Sequence, residues 1–369
     1  MDQKTKTLAK RGMMRGLFVI SDTVHVVLAV YDPQGSYSRH AGVVMASIFE
    51  RTQSPVRVHI LHDQTLTDHN RALLEETAGL FGQKITFYDV SPHMERMGDD
   101  AVSMVQNRLS LGSLFRLLLP DVLPLDKVIY LDCDVVVNVD IQELWDVPLD
   151  GRSLGGVLDR PAGESYRRFS SKAFRLFLMR CDRRVYVNSG VLVMDLERIR
   201  KRCQLIQQSA AWVRRYRHCA DMSDQDLINS CFRGDIKILE SRFNNGYAHL
   251  NSKFCDDVHD AAVANSILHA MLAPKPWETL RGSVVDRLYW RAFIKTPWGR
   301  LSPEELVDLM IDVSEKSPLT HRHSRQCYQT ILFRLKRDIF LWDGFVIAWL
   351  FAKDLYHRAK FFLVRGTGK

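Results

Sequence analysis

From Val24 onward the chain trades short runs of aliphatic and β-branched residues against longer stretches whose apolar side chains recur with helical spacing. The runs VHVVLAV (24–30), VRVHILHD (56–63) and ITFYDV (85–90) predict strands. AGVVMASIFERT (41–52) and the mixed stretch from Asp68 to Phe81 predict the helices between them. This rhythm is that of a mainly parallel sheet flanked by helices. Leu109, Leu111, Leu114, Leu117 and Leu118 mark the apolar side of a further helix, which leads through Pro120 and Pro124 into KVIYLDCDVVV (127–137), a buried strand running out into two carboxylates. Further strands are expected at SLGGVLD (153–159), VYVNSGVLVMDL (185–196), IKILE (236–240) and NSILHA (265–270), with helices at about 197–215 and 224–233. Each polar cluster falls at or just beyond a strand end, where open α/β sheets bind ligands. After about residue 290 the pattern becomes helical, and the chain divides there: a basic N-terminal segment (1–22), a catalytic domain (23–290) and a helical C-terminal region (291–369).

Composition adds an exclusion. With 369 residues, 46% hydrophobic and 25% charged, the chain can bury a large core and is neither disordered, collagen-like nor a disulfide scaffold. Its seven cysteines are odd in number and scattered without a CxxC pair, which reads as reduced thiols in cytosol. Lys4, Lys6, Lys10, Arg11 and Arg15 precede the apolar stretch GLFVI, which is too short for a signal peptide. The net charge of +8 suggests an anionic partner, and it is unevenly spread. Residues 333–369 carry eight Lys or Arg against three Asp, so this tail supplies +5 of the +8.

The strongest chemical signal is Asp132-Cys133-Asp134. Carboxylates at i and i+2 on an extended strand share a face, and with a turn at the strand end both reach one divalent cation, Mg²⁺ or Mn²⁺, joined to substrate phosphates. An isolated pair of this kind as readily caps a turn. His269 changes that balance, because an imidazole added to two carboxylates favours Mn²⁺. Lys275, stiffened by Pro274 and Pro276, is placed to neutralise a phosphate.

The order LAVYD, FRLLLPDVLP, KVIYLDCDVVV, LWDVPL, VNSGVLVMDLERIR, SDQDLIN, RFNNGY, HAMLAPKPW resembles glycosyltransferase family 8, the retaining sugar-nucleotide-dependent transferases that include bacterial lipopolysaccharide galactosyl- and glucosyltransferases. The likeness covers about residues 24–280 and implies a GT-A type, Rossmann-like fold. It implies that Asp132, Asp134 and His269 bind Mn²⁺, which holds the diphosphate of a UDP-sugar. It implies that Arg116 and Asn188 meet the donor sugar, and that Asp224 and Gln225 lie beside the reacting anomeric carbon. Tyr37 and the Tyr31–Asp32 turn fall where the family holds uracil. Asp159 is a candidate for the acceptor hydroxyl. Leu272 stands where family members commonly have glycine.

Within the basic tail, IFLWDGFVIAWLFA (339–352) is too short to span a bilayer and reads as an interfacial helix on anionic lipid. Nucleic acid is not expected, since no recognition module accompanies the charge. The resulting expectation is a cytoplasmic enzyme, peripheral at the inner face of the cytoplasmic membrane. It moves galactose or glucose from a UDP-sugar to lipopolysaccharide or another surface or lipid-linked glycan, with Mn²⁺, or alternatively Mg²⁺, assisting UDP departure. The alternatives are a non-catalytic membrane-associated sugar-nucleotide binder, for which Leu272 is the hint, and a haloacid dehalogenase-type phosphohydrolase, whose motif LDCDVV loosely matches.

Overall fold

The computed structural model describes residues 23–97, 111–159, 171–216, 218–220, 223–246, 263–271, 275–278, 284–315 and 352. Seven strands form one sheet in the order β3-β2-β1-β4-β7-β6-β8. These are β1 Val24–Val30, β2 Val56–His62, β3 Lys84–Asp89, β4 Lys127–Leu131, β6 Leu154–Leu158, β7 Val187–Asp195 and β8 Ile236–Ile238. Strands β1 to β4 are parallel, as is β8 to β6, while β7 runs antiparallel to both β4 and β6. The fold is thus the expected mixed α/β architecture with a mainly parallel central sheet.

Apolar except for the half-buried His25, β1 is buried along both faces, which requires cover on both sides. One face joins Val27, Ala29, Tyr130 and Leu192 to Leu114–Leu118 and the helix Leu205–Tyr216. The other joins Val26, Leu28, Ile129 and Val191 to the helix Ser38–Phe49. That helix has almost no polar face, because its outer side is buried too: Val43 and Ala46 pack against the helix Val284–Phe293. The boundary expected near residue 290 therefore lies inside a helix that belongs to the same packed body.

Two expectations change. KVIYLDCDVVV is not one strand: β4 ends at Leu131, Asp132-Cys133-Asp134 turns the chain, and β5 (Val135–Asn138) leaves the main sheet to pair antiparallel with β9 (Ser266–His269). Apolar runs alone do not reveal such a corner. The helix expected over 197–215 is two, Leu196–Arg202 and Leu205–Tyr216, broken where Cys203 adopts an extended backbone. The first has a complete set of end signals, with Asp195 accepting from Arg198 N and Arg200, Lys201 and Arg202 in the last turn. The leucine-rich helix is described from Leu111 and consists of short pieces, Gly112–Phe115, a 3₁₀ turn Arg116–Leu118, and Leu119–Val122 with Pro120 near its start. The N-terminal segment, Leu272 and the basic aromatic tail lie outside the described residues, apart from Ala352.

Candidate functional site

The reversal of β7 builds the site. In a sheet whose other central strands present their carboxyl ends to one edge, an antiparallel strand presents its beginning there. Leu131 pairs with Val191, so Asn188, Ser189 and Gly190 stand beyond the end of β4, and Asp132 N donates to Gly190 O at 2.8 Å. The β5–β9 ladder then sets Val135 opposite His269, and Ala270 N donates to Asp134 O at 2.9 Å. Distant parts of the chain thereby bring Asp132, Asp134 and His269 together, each with a ligand atom within 4.8 Å of the others.

Hydrogen bonds fix the state of the imidazole. Gly190 N–H donates to Asn188 Oδ1 at 2.9 Å, which settles the orientation of that amide. The same oxygen accepts from Asn244 Nδ2 at 2.8 Å, so Asn244 turns its own Oδ1 toward His269 Nδ1, also at 2.8 Å. A carbonyl only accepts, and Nδ1 therefore carries the proton. Nε2 is left to face Asp134 Oδ1 at 3.0 Å, and that oxygen is buried with no hydrogen-bond donor. A lone pair facing a carboxylate oxygen calls for a cation between them or a second ring proton. Two oxygen donors and one nitrogen donor, the latter oriented by a carbonyl, suit a divalent metal with positions left for other oxygens.

Lys275 comes to the same carboxylate. Its Nζ donates to Asp134 Oδ2 at 2.7 Å and to Ala270 O at 2.5 Å. Burial disfavours the charge on Asp134, but His269, when its ring carries both protons, and Lys275 outweigh it and hold this carboxyl well below the usual carboxylate range.

Arg116 anchors the other carboxylate. Only 4% exposed, it donates to Asp132 Oδ1 at 2.8 Å, Ser189 O at 2.5 Å and Ser113 O at 2.9 Å, and its Nε lies 3.3 Å from Asp224 Oδ2. Tyr130 adds its hydroxyl to Asp132 Oδ1 at 2.8 Å while its ring lies 4.5 Å from the guanidinium carbon. Burial penalises the arginine charge, yet Asp132, Tyr130 and Asp224 more than compensate and raise its pKa. Asp224 itself is pushed upward by burial, with Arg116 opposing and Asp132 adding to the rise.

A polar chain leads from there. Gln225 Oε1 accepts from Asn188 Nδ2 at 3.1 Å and Ser189 N at 3.2 Å, and its Nε2 donates to Asp159 Oδ1 at 3.2 Å. Asn188 Nδ2 is 3.4 Å from the same Asp159 oxygen. Asp159, Asn188, Gln225, Arg116 and the metal-ligand trio are thus one connected constellation.

Asp32 plays a different part from the one expected of a binding carboxylate. It is buried and takes N–H donors from Tyr37 at 2.6 Å and Ser38 at 3.0 Å, the Ser38 hydroxyl at 2.6 Å and Asn70 Nδ2 at 3.1 Å. Its charge holds the turn from Tyr31 to Tyr37 and starts the helix Ser38–Phe49. Burial first, and then Cys133, Asp134 and Asp132, push the Tyr37 hydroxyl's pKa up.

Three contributors were not expected from the sequence as site residues: Asn244, Gly190 and Tyr130. Asn244 lies within RFNNGY, where asparagine signals a turn, and Tyr130 looks like any buried strand aromatic. Gly190 is needed for close approach: a Cβ there would lie 2.2 Å from His269 Cε1 and 2.8 Å from Asp132 Oδ2.

The model of glycosyl transferase family 8 matches residues 29–281. A putative glycosyltransferase of Haemophilus influenzae is 23% identical over 225 residues, 61% of this chain and 64% of that protein. A probable galacturonosyltransferase-like protein of Arabidopsis thaliana is 30% identical over 190 residues, 47% of this chain and 52% of its own length. The chain therefore spans under two thirds of each of these two relatives. Among solved structures, the galactosyltransferase LgtC, in complex with donor and acceptor sugar analogues, aligns at 25% identity with a TM-score of 0.60, covering 78% of this chain and all of LgtC.

Proposed function

The chain belongs to glycosyl transferase family 8, and from that premise we propose that it moves a hexose, galactose or glucose, from a UDP-sugar to a glycan acceptor with retention at the anomeric carbon. The acceptor is lipopolysaccharide or another surface or lipid-linked glycan, and the enzyme works in the cytoplasm at the inner face of the membrane. The observation that carries the reading is the union of the Asp132, Asp134 and His269 donor set with Lys275 and the amide chain ending at Asp159. The family match over most of the chain favours this reading over a haloacid dehalogenase-type phosphohydrolase.

Asp132, Asp134 and His269 would hold Mn²⁺ or Mg²⁺, with the imidazole favouring Mn²⁺. When bound, the cation supplies positive charge beside the diphosphate as UDP departs. Lys275 exchanges its hold on Asp134 for a phosphate oxygen and neutralises charge that grows in the transition state. Tyr37 and the turn that Asp32 holds provide the wall for the base. Arg116 and Asn188 orient the sugar, and Asp224, paired with Arg116, positions that arginine. Gln225 and Asp159 present dipole and charge where positive character develops on the sugar, with Asp159 nearest to an incoming hydroxyl.

Screening UDP-sugars for Mn²⁺-dependent release of UDP tests the reading directly. Asp134→Asn abolishes Mn²⁺-dependent UDP binding while leaving the circular dichroism spectrum and melting temperature near wild type. Full turnover in excess EDTA overturns it.

A further inference from the structure

A second cationic segment precedes the C-terminal tail in the sequence. Residues 171–184, SKAFRLFLMRCDRR, hold five basic residues (Lys172, Arg175, Arg180, Arg183 and Arg184) against Asp182 alone, a net +4 in a chain whose total is +8. The helix Ser171–Leu178 buries Ala173, Leu176 and Leu178 but leaves Phe177 74% exposed, the most exposed large hydrophobic side chain among the described residues. Phe174 stacks on it at 6.4 Å between ring centroids.

The helix ends at Arg180, whose φ of 62° is left-handed, and Arg180 N donates to Phe177 O at 3.1 Å. Glycine would hold this position without the roughly 1–2 kcal/mol that a Cβ costs there. An arginine is thus held at the end of this helix, three residues after Phe177, at the expense of local stability. Arg180 and Arg184 are exposed; Arg184 N donates to Asp182 Oδ1 at 2.9 Å, and the guanidinium of neither arginine is paired with a carboxylate among the described residues.

The segment is fastened to the catalytic machinery. Lys172 Nζ lies 3.6 Å from Asp226, Cys181 Sγ is 3.4 Å from Asp226 O, and Ser230 Oγ donates to Met179 O at 2.5 Å. Both partner residues, Asp226 and Ser230, belong to the helix Ser223–Cys231 that also carries Asp224 and Gln225. Two residues after Arg184, Tyr186 O accepts from Asp159 N at 3.0 Å. The segment is therefore tied both to the helix that carries Asp224 and Gln225 and to the backbone of Asp159.

We propose that Phe177, Arg180 and Arg184 form a docking surface for an anionic lipid bilayer, which holds the acceptor side of the site against the membrane. The partner's chemistry follows from the surface: guanidinium groups pair with lipid phosphates and an aromatic ring enters the boundary with the acyl chains. The orienting role rests on the reading of a membrane-borne acceptor, while the docking itself does not.

The test uses the full chain and co-sedimentation with vesicles of phosphatidylcholine alone or with 30% phosphatidylglycerol, a composition of roughly physiological charge. Each arginine is worth about fivefold in partition at such a surface. Phe177→Ser combined with Arg180→Gln and Arg184→Gln should thus weaken binding to the anionic vesicles by roughly 25-fold or more, with little change on neutral ones. UDP release from donor in solution stays at the wild-type rate, and its absence in both proteins would count against the transferase reading and leave the vesicle result standing. Hydrogen exchange on the unmodified protein supplies a measurement independent of substitution: amides of 171–184 gain protection on anionic vesicles. Unchanged partition of the variant, or no protection of this segment, overturns the proposal. So does intact vesicle binding with impaired transfer to a soluble phosphorylated glycan, which would assign the arginines to the acceptor's own phosphates.

Discussion

At Gly190 a single missing carbon lets β7 run beside His269 and Asp132. Gly190→Ala should reduce Mn²⁺ affinity by on the order of 100-fold, the upper end of what disturbed ligand support costs, with the melting temperature little changed. Calorimetric titration with Mn²⁺ decides, and wild-type affinity would show that the histidine does not ligate. Asn244→Ala removes the carbonyl that fixes the ring tautomer and should cost about 10- to 100-fold in the same titration, whereas Asn244→Asp keeps an acceptor and retains most of the affinity. Lys275 makes a separable prediction, because its ammonium already sits on Asp134. Lys275→Met should tighten Mn²⁺ binding in the absence of nucleotide and weaken it in the presence of UDP; equal effects in both titrations would deny the exchange of partners. The residues that carry formal charge or a known motif, Asp132, Asp134, Arg116, His269 and Lys275, were legible in the sequence. Gly190 and Asn244 were not, because their contribution is the space and orientation they give a neighbour, and neither leaves a mark in a linear pattern.

Among the elements, the edge of the sheet formed by β1, β2 and β3 stores a pH response. His25 Nδ1 and His59 Nε2 are 2.9 Å apart, and His59 Nδ1 is 3.3 Å from the Tyr88 hydroxyl. Burial, with the neighbouring His25 and Arg57, lowers the His59 pKa to about 3. Its folded form is neutral while the unfolded chain takes up a proton near the ordinary value of about 6.5, so its contribution is whole above that pH and is lost progressively as pH falls toward 3. Urea unfolding at pH 5.5 should show roughly 1 kcal/mol less stability from this group than at pH 7.5. His59→Gln, which cannot charge, should flatten that part of the slope; an unaltered slope would place the acid sensitivity elsewhere. Strand positions on this side were readable because β1, β2 and β3 are short runs rich in β-branched and aromatic residues with clear breaks. The turn between β4 and β5 was hidden, since Val135, Val136 and Val137 are as suitable for a two-stranded ladder as for the extension of β4. The direction of β7 was likewise hidden, as an apolar strand has the same composition whichever way it runs.

For the molecule as a whole, the two core faces of the sheet and the layer formed with the helix Val284–Phe293 make one packed body in which the site is a late assembly. A ligand that binds only the folded chain at 100 times its dissociation constant adds about 2.7 kcal/mol of stability. Mn²⁺ with UDP should accordingly raise the melting temperature by a few degrees, and EDTA should reverse the gain; a shift that survives EDTA would mean that UDP binds without the cation. The α/β class was visible at this scale because alternating strands and helices dominate the sequence, whereas the extra helical layer was not, because a helix apolar on every side does not say what covers it. The pairing of β5 with β9 has a consequence for biosynthesis. Asp134 leaves the ribosome long before its partner strand exists, and no portion of the chain ending before His269 contains a complete cation site. During translation the nascent polypeptide is therefore unable to capture manganese through this trio, and competence arrives in a single step once the segment bearing His269 has emerged and closed on its ladder.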